Sequence, residues 1–430
     1  MIFLKITNGI NYLKNNIYIK NAILLLLDNI IKILAGFVLS VFIARYFGPE
    51  KFGQINYVAA FIVILQVFVL FGFDSIVLKD IGLALYPEPV ILGTVIKIRL
   101  LLAGIVYSAG LVIFYFFFDK SFVFIYVILG TQLFTYSLYI LKQWYQVKSL
   151  NKYTVIASQI SFFAVSIAKI ILILAAKDVV WYAVILTGGT FIEAGMLFLF
   201  YKKRPGNSSL GQFDITYCKQ LIKASLPLLF SSLAIIIYIK IDQIMIGKML
   251  SARDLGIYSI GVTISEMIYF VPMAIANAVY PRIAQAKKDG KDYEGIIVKT
   301  GSLNIAVCLV FAICCTLFAP FLITAIYGGA YMAAGQVIQI HSWAGIFVSI
   351  GVSHGCYLFF NDLQKYSLYS TLIGAIINIL GNFICIPLFG INGAAITTIL
   401  SQSIAGYFIY PFFKDKSTFI LRTRSLFFRW

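Results

Sequence analysis

The chain has 430 residues, 61% hydrophobic and 12% charged, with mean hydropathy +0.93 and a formal net charge of +17. Soluble domains run at about 45–50% apolar and about 25% charged, so this composition excludes a water-soluble globular protein and predicts a polytopic membrane protein. No stretch between apolar runs is long enough to hold a core of its own, which leaves no room for a soluble catalytic domain.

Residues 1–20 carry Lys5, Lys14 and Lys20 but no small-residue cleavage site. The apolar run that follows exceeds a signal-peptide core, so it reads as the first span. At about 20 residues per crossing, helices are predicted over 22–44, 54–73, 91–118, 121–141, 153–176, 180–200, 224–249, 257–281, 299–319, 335–359, 366–386 and 392–412. With the N-terminus inside, cytoplasmic segments collect 25 of the 34 lysines and arginines, outside loops 6 and spans 3. That skew puts both termini in the cytoplasm. It also assigns the net charge to anionic headgroups, with no need of nucleic acid.

The first span contains "LLLLDNIIKILAG", residues 24–36. At 100° per residue its Asn21, Asp28, Asn29, Lys32, Gly36 and Ser40 share one side. A charge at membrane depth costs about 2.5–3.5 kcal/mol on insertion scales, so the stripe predicts the wall of a polar cavity. The alternative is that Asp28 and Lys32, spaced i, i+4, neutralise each other and fix helix packing.

Later spans repeat the pattern. Span five holds Lys169 near Ser158 and Ser166, and span six holds Glu193 amid "TGGTFIEAG", whose small residues also permit close helix packing. Span seven carries Lys240 and, on its other side, Asp242, for which a helix contact is the equal alternative. Span eight aligns Ser259, Glu266, Tyr269, Met273, Asn277 and Tyr280; span eleven aligns Ser367, Thr371, Gly374, Asn378 and Asn382. The basic loop 201–223 separates six spans from six, giving an N-terminal lobe at 1–210 and a C-terminal lobe at 211–430. Across that division "ARYFGPEKFGQINYV" aligns without gaps on "GKMLSARDLGIYSIG", pairing Gly53 with Gly256, as expected of a parallel repeat. The predicted fold class is an all-α integral membrane protein, about twelve transmembrane helices in two six-helix lobes around a central cavity.

Lysine in a wet cavity suits a phosphate, and tyrosine and asparagine suit sugar rings, so the combination points to a glycosylated phospholipid. A proton- or sodium-coupled drug exporter would also hold intramembrane acids, here Asp28, Glu193, Asp242 or Glu266. No nucleotide-binding, zinc-protease or nucleophile-elbow motif occurs, and His341 and His354 are the only histidines. An enzyme, a cofactor and a metal site are therefore not expected, and the six cysteines, mostly in apolar segments, read as packing residues.

The segments "ARYFGPEKFGQINYVAAFI", "SLPLLFSSLAIIIYIKIDQIMIGKMLSARDLGIYSIG", "VYPRIAQ", "IYGGAYMAAGQVIQI" and "IPLFGINGAAITTILSQ" together resemble the Wzx-type polysaccharide flippases of the multidrug/oligosaccharidyl-lipid/polysaccharide exporter superfamily. The resemblance implies translocation of undecaprenyl-diphosphate-linked oligosaccharide repeat units across the bacterial inner membrane by alternating access, for O-antigen or capsule. Lipid-linked oligosaccharide and membrane lipids are the implied partners, with a polysaccharide polymerase and a chain-length regulator downstream. Helices one and seven line the cavity in that family, which transfers here to Lys32 and Lys240. Peptidoglycan-precursor flippases differ in having fourteen spans and cavity arginines. A cation-coupled multidrug exporter of the same fold and a membrane polysaccharide polymerase remain the alternatives; the polymerase would need a larger outside loop.

Overall fold

The computed structural model describes residues 17–204 and 210–429, with side chains from Ala35 onward, so the predicted cavity residues Asp28, Asn29 and Lys32 lie outside the described side chains. Every regular element among the described residues is helical. In chain order these are α1 (Ile17–Leu70), α2 (Phe73–Gly82), α3 (Glu88–Phe117), α4 (Lys120–Leu129), α5 (Gln132–Thr135), α6 (Ile140–Val147), α7 (Asn151–Leu174) and α8 (Val179–Lys202). They continue as α9 (Ile215–Met249), α10 (Ala252–Glu266), α11 (Phe270–Lys288), α12 (Tyr293–Tyr327), α13 (Met332–His341), α14 (Ala344–Phe360), α15 (Gln364–Phe389), α16 (Ile391–Ser403) and α17 (Ser417–Leu426).

The chain is a multi-pass membrane protein. Among the described residues nine helices are long and apolar enough to cross a bilayer, and Gly329–His341 with Ala344–Phe360, bent by 47°, makes a tenth. All twelve predicted spans nevertheless have a helical counterpart. Spans one and two run on as α1, broken only at Gly48 (φ 73°, ψ 172°), a conformation that suits glycine and precedes Pro49. The twelfth is divided into α16, a π turn at Ile404–Phe408 and a 3-10 turn at Tyr410–Phe412. Helix starts follow local chemistry: Ser251 accepts the Asp254 N–H at 3.1 Å to begin α10, and Asp292 accepts the Gly295 N–H at 2.8 Å to begin α12.

The chain divides into two compact units, Met1–Tyr46 with Phe61–Ser232, and Phe47–Ala60 with Leu233–Trp430. The division near 233 falls inside α9, some way past the lobe boundary predicted at 210/211. The reason is anchoring of the segment before it. Lys97 Nζ donates to the Gly211 carbonyl at 2.6 Å, the Asp214 N–H to Thr94 Oγ1 at 3.1 Å, and the Tyr217 hydroxyl to the buried Asp80 carboxylate at 2.9 Å. The first turns of α9 therefore stay with the first unit.

Phe47–Ala60 belongs with the second unit for an equally local reason. A Cβ at Gly53 would overlap the Ala252 carbonyl, and one at Gly256 would overlap the Pro49 carbonyl. Gly53 and Gly256 are the pair aligned in sequence, and Pro49 and Ala252 are equivalent in the same register. Each repeat thus packs its glycine on the other repeat's helix start, a reciprocal contact that only two glycines permit.

Candidate functional site

The second unit contains a cavity of about 490 Å³. Tyr238 and Asp242 of α9 line it together with Glu266 at the end of α10, Tyr269, His341 of α13, Ser367, Ser370 and Thr371 of α15, and Thr398 and Gln402 of α16. Tyr410 and Arg422 lie in the same wall. Glu266 and Tyr269 flank a 3-10 turn at Met267–Tyr269. Pro272 follows one turn later, and its missing N–H removes a rung of the α-helical ladder there, so the chain tightens and turns both side chains into the cavity.

Asp242 is buried, so it needs donors. The Tyr258 hydroxyl donates to Oδ2 and the Gln243 N–H donates to Oδ1 at 2.8 Å. Lys240 interacts electrostatically with both Asp242 and Glu266. Among the described residues, however, neither carboxylate has a basic group in salt-bridge contact. His341 Nδ1 lies 2.8 Å from Ser265 Oγ, which satisfies one side of the ring.

The predicted span-eleven stripe serves two purposes along its length. Ser367 and Thr371 reach the cavity, whereas Asn378 and Asn382 do not line it. These two are 1% and 0% exposed: Asn378 joins α15 to α16 through Nδ2, which donates to Ser401 Oγ at 3.4 Å, and Asn382 Nδ2 braces it within α15 by donating to Asn378 Oδ1 at 3.2 Å. Gly374 lies between the two zones, against Tyr238 and Ala405.

In the first unit, Glu193 accepts from Lys142 Nζ at 2.9 Å and from the Tyr139 hydroxyl at 3.0 Å. Lys142 also sits 3.9 Å above the Tyr139 ring centroid, so Glu193 is neutralised where it stands. Its small neighbour Gly189 packs on Val165 of α7, where Ser161 Oγ donates to the Gly189 carbonyl at 2.6 Å. Lys169 lies 5.5 Å from the Tyr182 ring centroid. Of the predicted site residues, the second unit brings Asp242 and Glu266 into one cavity with Lys240 in electrostatic reach and uses Asn378 and Asn382 in the packing of α15, while Lys169 and Glu193 belong to the first unit.

Sequence reasoning missed Tyr258, Gln402, Tyr410 and Arg422. A signal for the last existed. Thr418, Leu421, Arg422 and Ser425 repeat at i, i+3, i+4, i+7 and all four are buried, so the arginine lies on the inward face of α17. Counting it only as a cytoplasmic charge hid that periodicity.

A family model described as polysaccharide biosynthesis protein matches residues 18–287, and one described as MatE matches residues 227–384. The chain is 24% identical over 202 residues to the "Probable low-salt glycan biosynthesis flippase Agl15" of Haloferax volcanii, a match covering 46% of this chain and 42% of that protein. It is 23% identical over 173 residues to the amylovoran biosynthesis protein AmsL of Erwinia amylovora, covering 40% of this chain and 45% of that protein. The chain thus spans less than half the length of these relatives. Among solved structures, the fold is similar to that of a lipid II flippase MurJ in an inward closed conformation. The TM-score is 0.71 at 13% identity, over 95% of this chain and 91% of that one.

Proposed function

We propose that this chain, which belongs to the polysaccharide biosynthesis protein family, is a flippase for lipid-linked oligosaccharide. The observation that carries the proposal is the match of that family over residues 18–287; the hydroxyl-rich cavity of the second unit supports it. The substrate is an undecaprenyl-diphosphate-linked repeat unit, moved from the cytoplasmic to the outer face of the bacterial inner membrane for O-antigen or capsule. Both termini are cytoplasmic, and a polymerase and a chain-length regulator act on the exported unit.

In this reading Lys32, Lys169 and Lys240 receive the diphosphate by turns, since a lysine ammonium is a compact charge that a phosphate can enter and leave. Asp28 holds Lys32 neutral when no substrate is present. Tyr238, Ser370, Thr371 and Gln402 offer hydrogen bonds to sugar hydroxyls. Alternating access exposes these groups first to the cytoplasm and then outward. Export of negative charge from a cell that is negative inside is downhill by about 2.3 kcal/mol per charge per 100 mV, so a doubly charged headgroup gains about 4.6 kcal/mol. The membrane potential then suffices as the driving force.

The test is the sidedness of lipid-linked oligosaccharide in cells lacking the gene, read by an impermeant lectin on spheroplasts. Single repeat units trapped on the cytoplasmic face are expected. Units exposed outside would transfer the reading to a polymerase, and an unaltered lipid pool would remove the polysaccharide substrate.

A second reading, a cation-coupled multidrug exporter, is favoured by one feature. Asp242 and Glu266 share a cavity with no base in salt-bridge contact, within the region matched by the MatE model. Vesicle assays with potential and ion gradients collapsed separately discriminate: flipping that survives loss of the potential and fails without a proton or sodium gradient makes these two acids the coupling site.

A further inference from the structure

We propose that the end of the second unit's cavity formed by the π turn, Tyr410 and α17 is a binding site for a phosphate-class oxyanion, centred on Arg422. The site lies within the second unit alone and does not rest on the flippase reading.

Arg422 is 1% exposed yet forms part of the cavity wall. Its Nη1 donates to the carbonyl of Gly406, in the π turn at Ile404–Phe408. Its guanidinium lies 3.6 Å from the Tyr410 ring centroid, and Nε has no hydrogen-bond partner. Among the described residues no carboxylate pairs with it. The titratable groups that interact with it are Tyr410 and His354, and no carboxylate is among them. Burial pushes the guanidinium down to about 10, which leaves it charged at neutral pH.

A buried arginine without a counter-ion is costly, and proteins place such groups where an anion completes them. Here the guanidinium is also pre-organised. The Tyr410 ring fixes its plane and the Gly406 carbonyl fixes one edge, so little side-chain entropy is left to lose on binding. A neutral donor lines the same cavity, the Gln402 side-chain amide. Ser370 Oγ donates to the Ser367 carbonyl at 2.9 Å and lies 3.4 Å from the Tyr410 hydroxyl, which holds that ring in place. An arginine fork with an amide donor is chemistry that recognises tetrahedral oxyanions. Asp242 and Glu266 line the same cavity from α9 and α10, which makes it bipolar, with acids contributed by one set of helices and the free cation by another.

The rival account is that Arg422 only fastens α17 to the π turn, which predicts no response to any anion. The full chain, purified in non-ionic detergent, is titrated with inorganic pyrophosphate and separately with phosphatidylglycerol in mixed micelles, and the thermal unfolding midpoint is followed. Stabilisation by pyrophosphate identifies a free phosphate as the occupant; stabilisation by phosphatidylglycerol alone identifies a lipid headgroup; either supports the site. Arg422→Gln is expected to raise Kd by about tenfold or more, as loss of a charged partner does, and Arg422→Lys to retain part of the response. If Arg422→Gln fails to fold, Gln402→Ala carries the test, because it leaves the guanidinium, the Tyr410 ring and the Gly406 carbonyl intact. Its expected loss is about threefold to tenfold, one neutral hydrogen bond. No shift with either probe, or equal Kd values for the parent and the folded variants, overturns the proposal.

Discussion

The two units treat their charged side chains differently. In the first, Arg99 is fully buried and donates to Asp74 at 2.9 Å and to the Leu70 and Tyr136 carbonyls, both at 3.2 Å. The Leu70 carbonyl is at the end of α1, where the helix dipole is negative. Glu193 is paired with Lys142, and Glu88 with Lys148 at 2.5 Å and with Trp144 Nε1 at 2.6 Å. In the second unit Asp242, Glu266 and Arg422 line a cavity without ion pairs among the described residues. Paired charges hold helices in place; unpaired ones remain available to a substrate, an ion or a proton. The difference marks the first unit's ion pairs as structural and the second unit's cavity charges as candidates for function.

That contrast can be broken most severely at Arg99. Arg99→Met should destabilise the protein by about 2–4 kcal/mol, because the Leu70 and Tyr136 carbonyls lose a charged donor while the Asp74 side chain, 36% exposed, keeps water, read as a fall in the unfolding midpoint in detergent. Adding Asp74→Asn should recover part of the loss, because the two side chains share one interaction. Gly53→Val and Gly256→Val should each cost about 1–3 kcal/mol through overpacking, by the same measurement. Similar costs at the two positions would sharpen the reciprocity of the repeat contact, and a cost at one alone would break it.

Smaller effects separate structure from function. Lys142 and Glu193 are partly exposed, with side-chain exposures of 34% and 17%. Glu193→Gln should therefore cost only about 1 kcal/mol, nearer a screened pair than a buried one, and leave transport in vesicles close to that of the parent. Glu266→Gln should change stability by no more than about 1 kcal/mol, since no salt bridge is lost and the amide keeps the shape of the side chain, while transport falls well below the parent rate. If instead Glu193→Gln abolishes transport and Glu266→Gln does not, the division of labour between the units is reversed.

The sequence by itself determined the membrane class and the places where the chain crosses. Lipid offers no hydrogen bonds to a backbone, so a span outside a closed barrel must be a helix, apolar for about 20 residues, and both conditions are local. The stripe in α15 was legible for the same reason, since helical periodicity needs only neighbours within a few turns. Only the tertiary structure decided what each polar residue faces. Asn378 and Ser367 share that stripe, yet one meets α16 and the other the cavity. Arg99, Lys142 and Arg422 count in the sequence as cytoplasmic charges, whereas in the fold the first two pair with acids and the third enters a cavity wall. Charge density sets which side of the membrane a loop occupies. Partner choice depends on atoms brought within about 4 Å from distant points along the chain, and no local pattern encodes that distance.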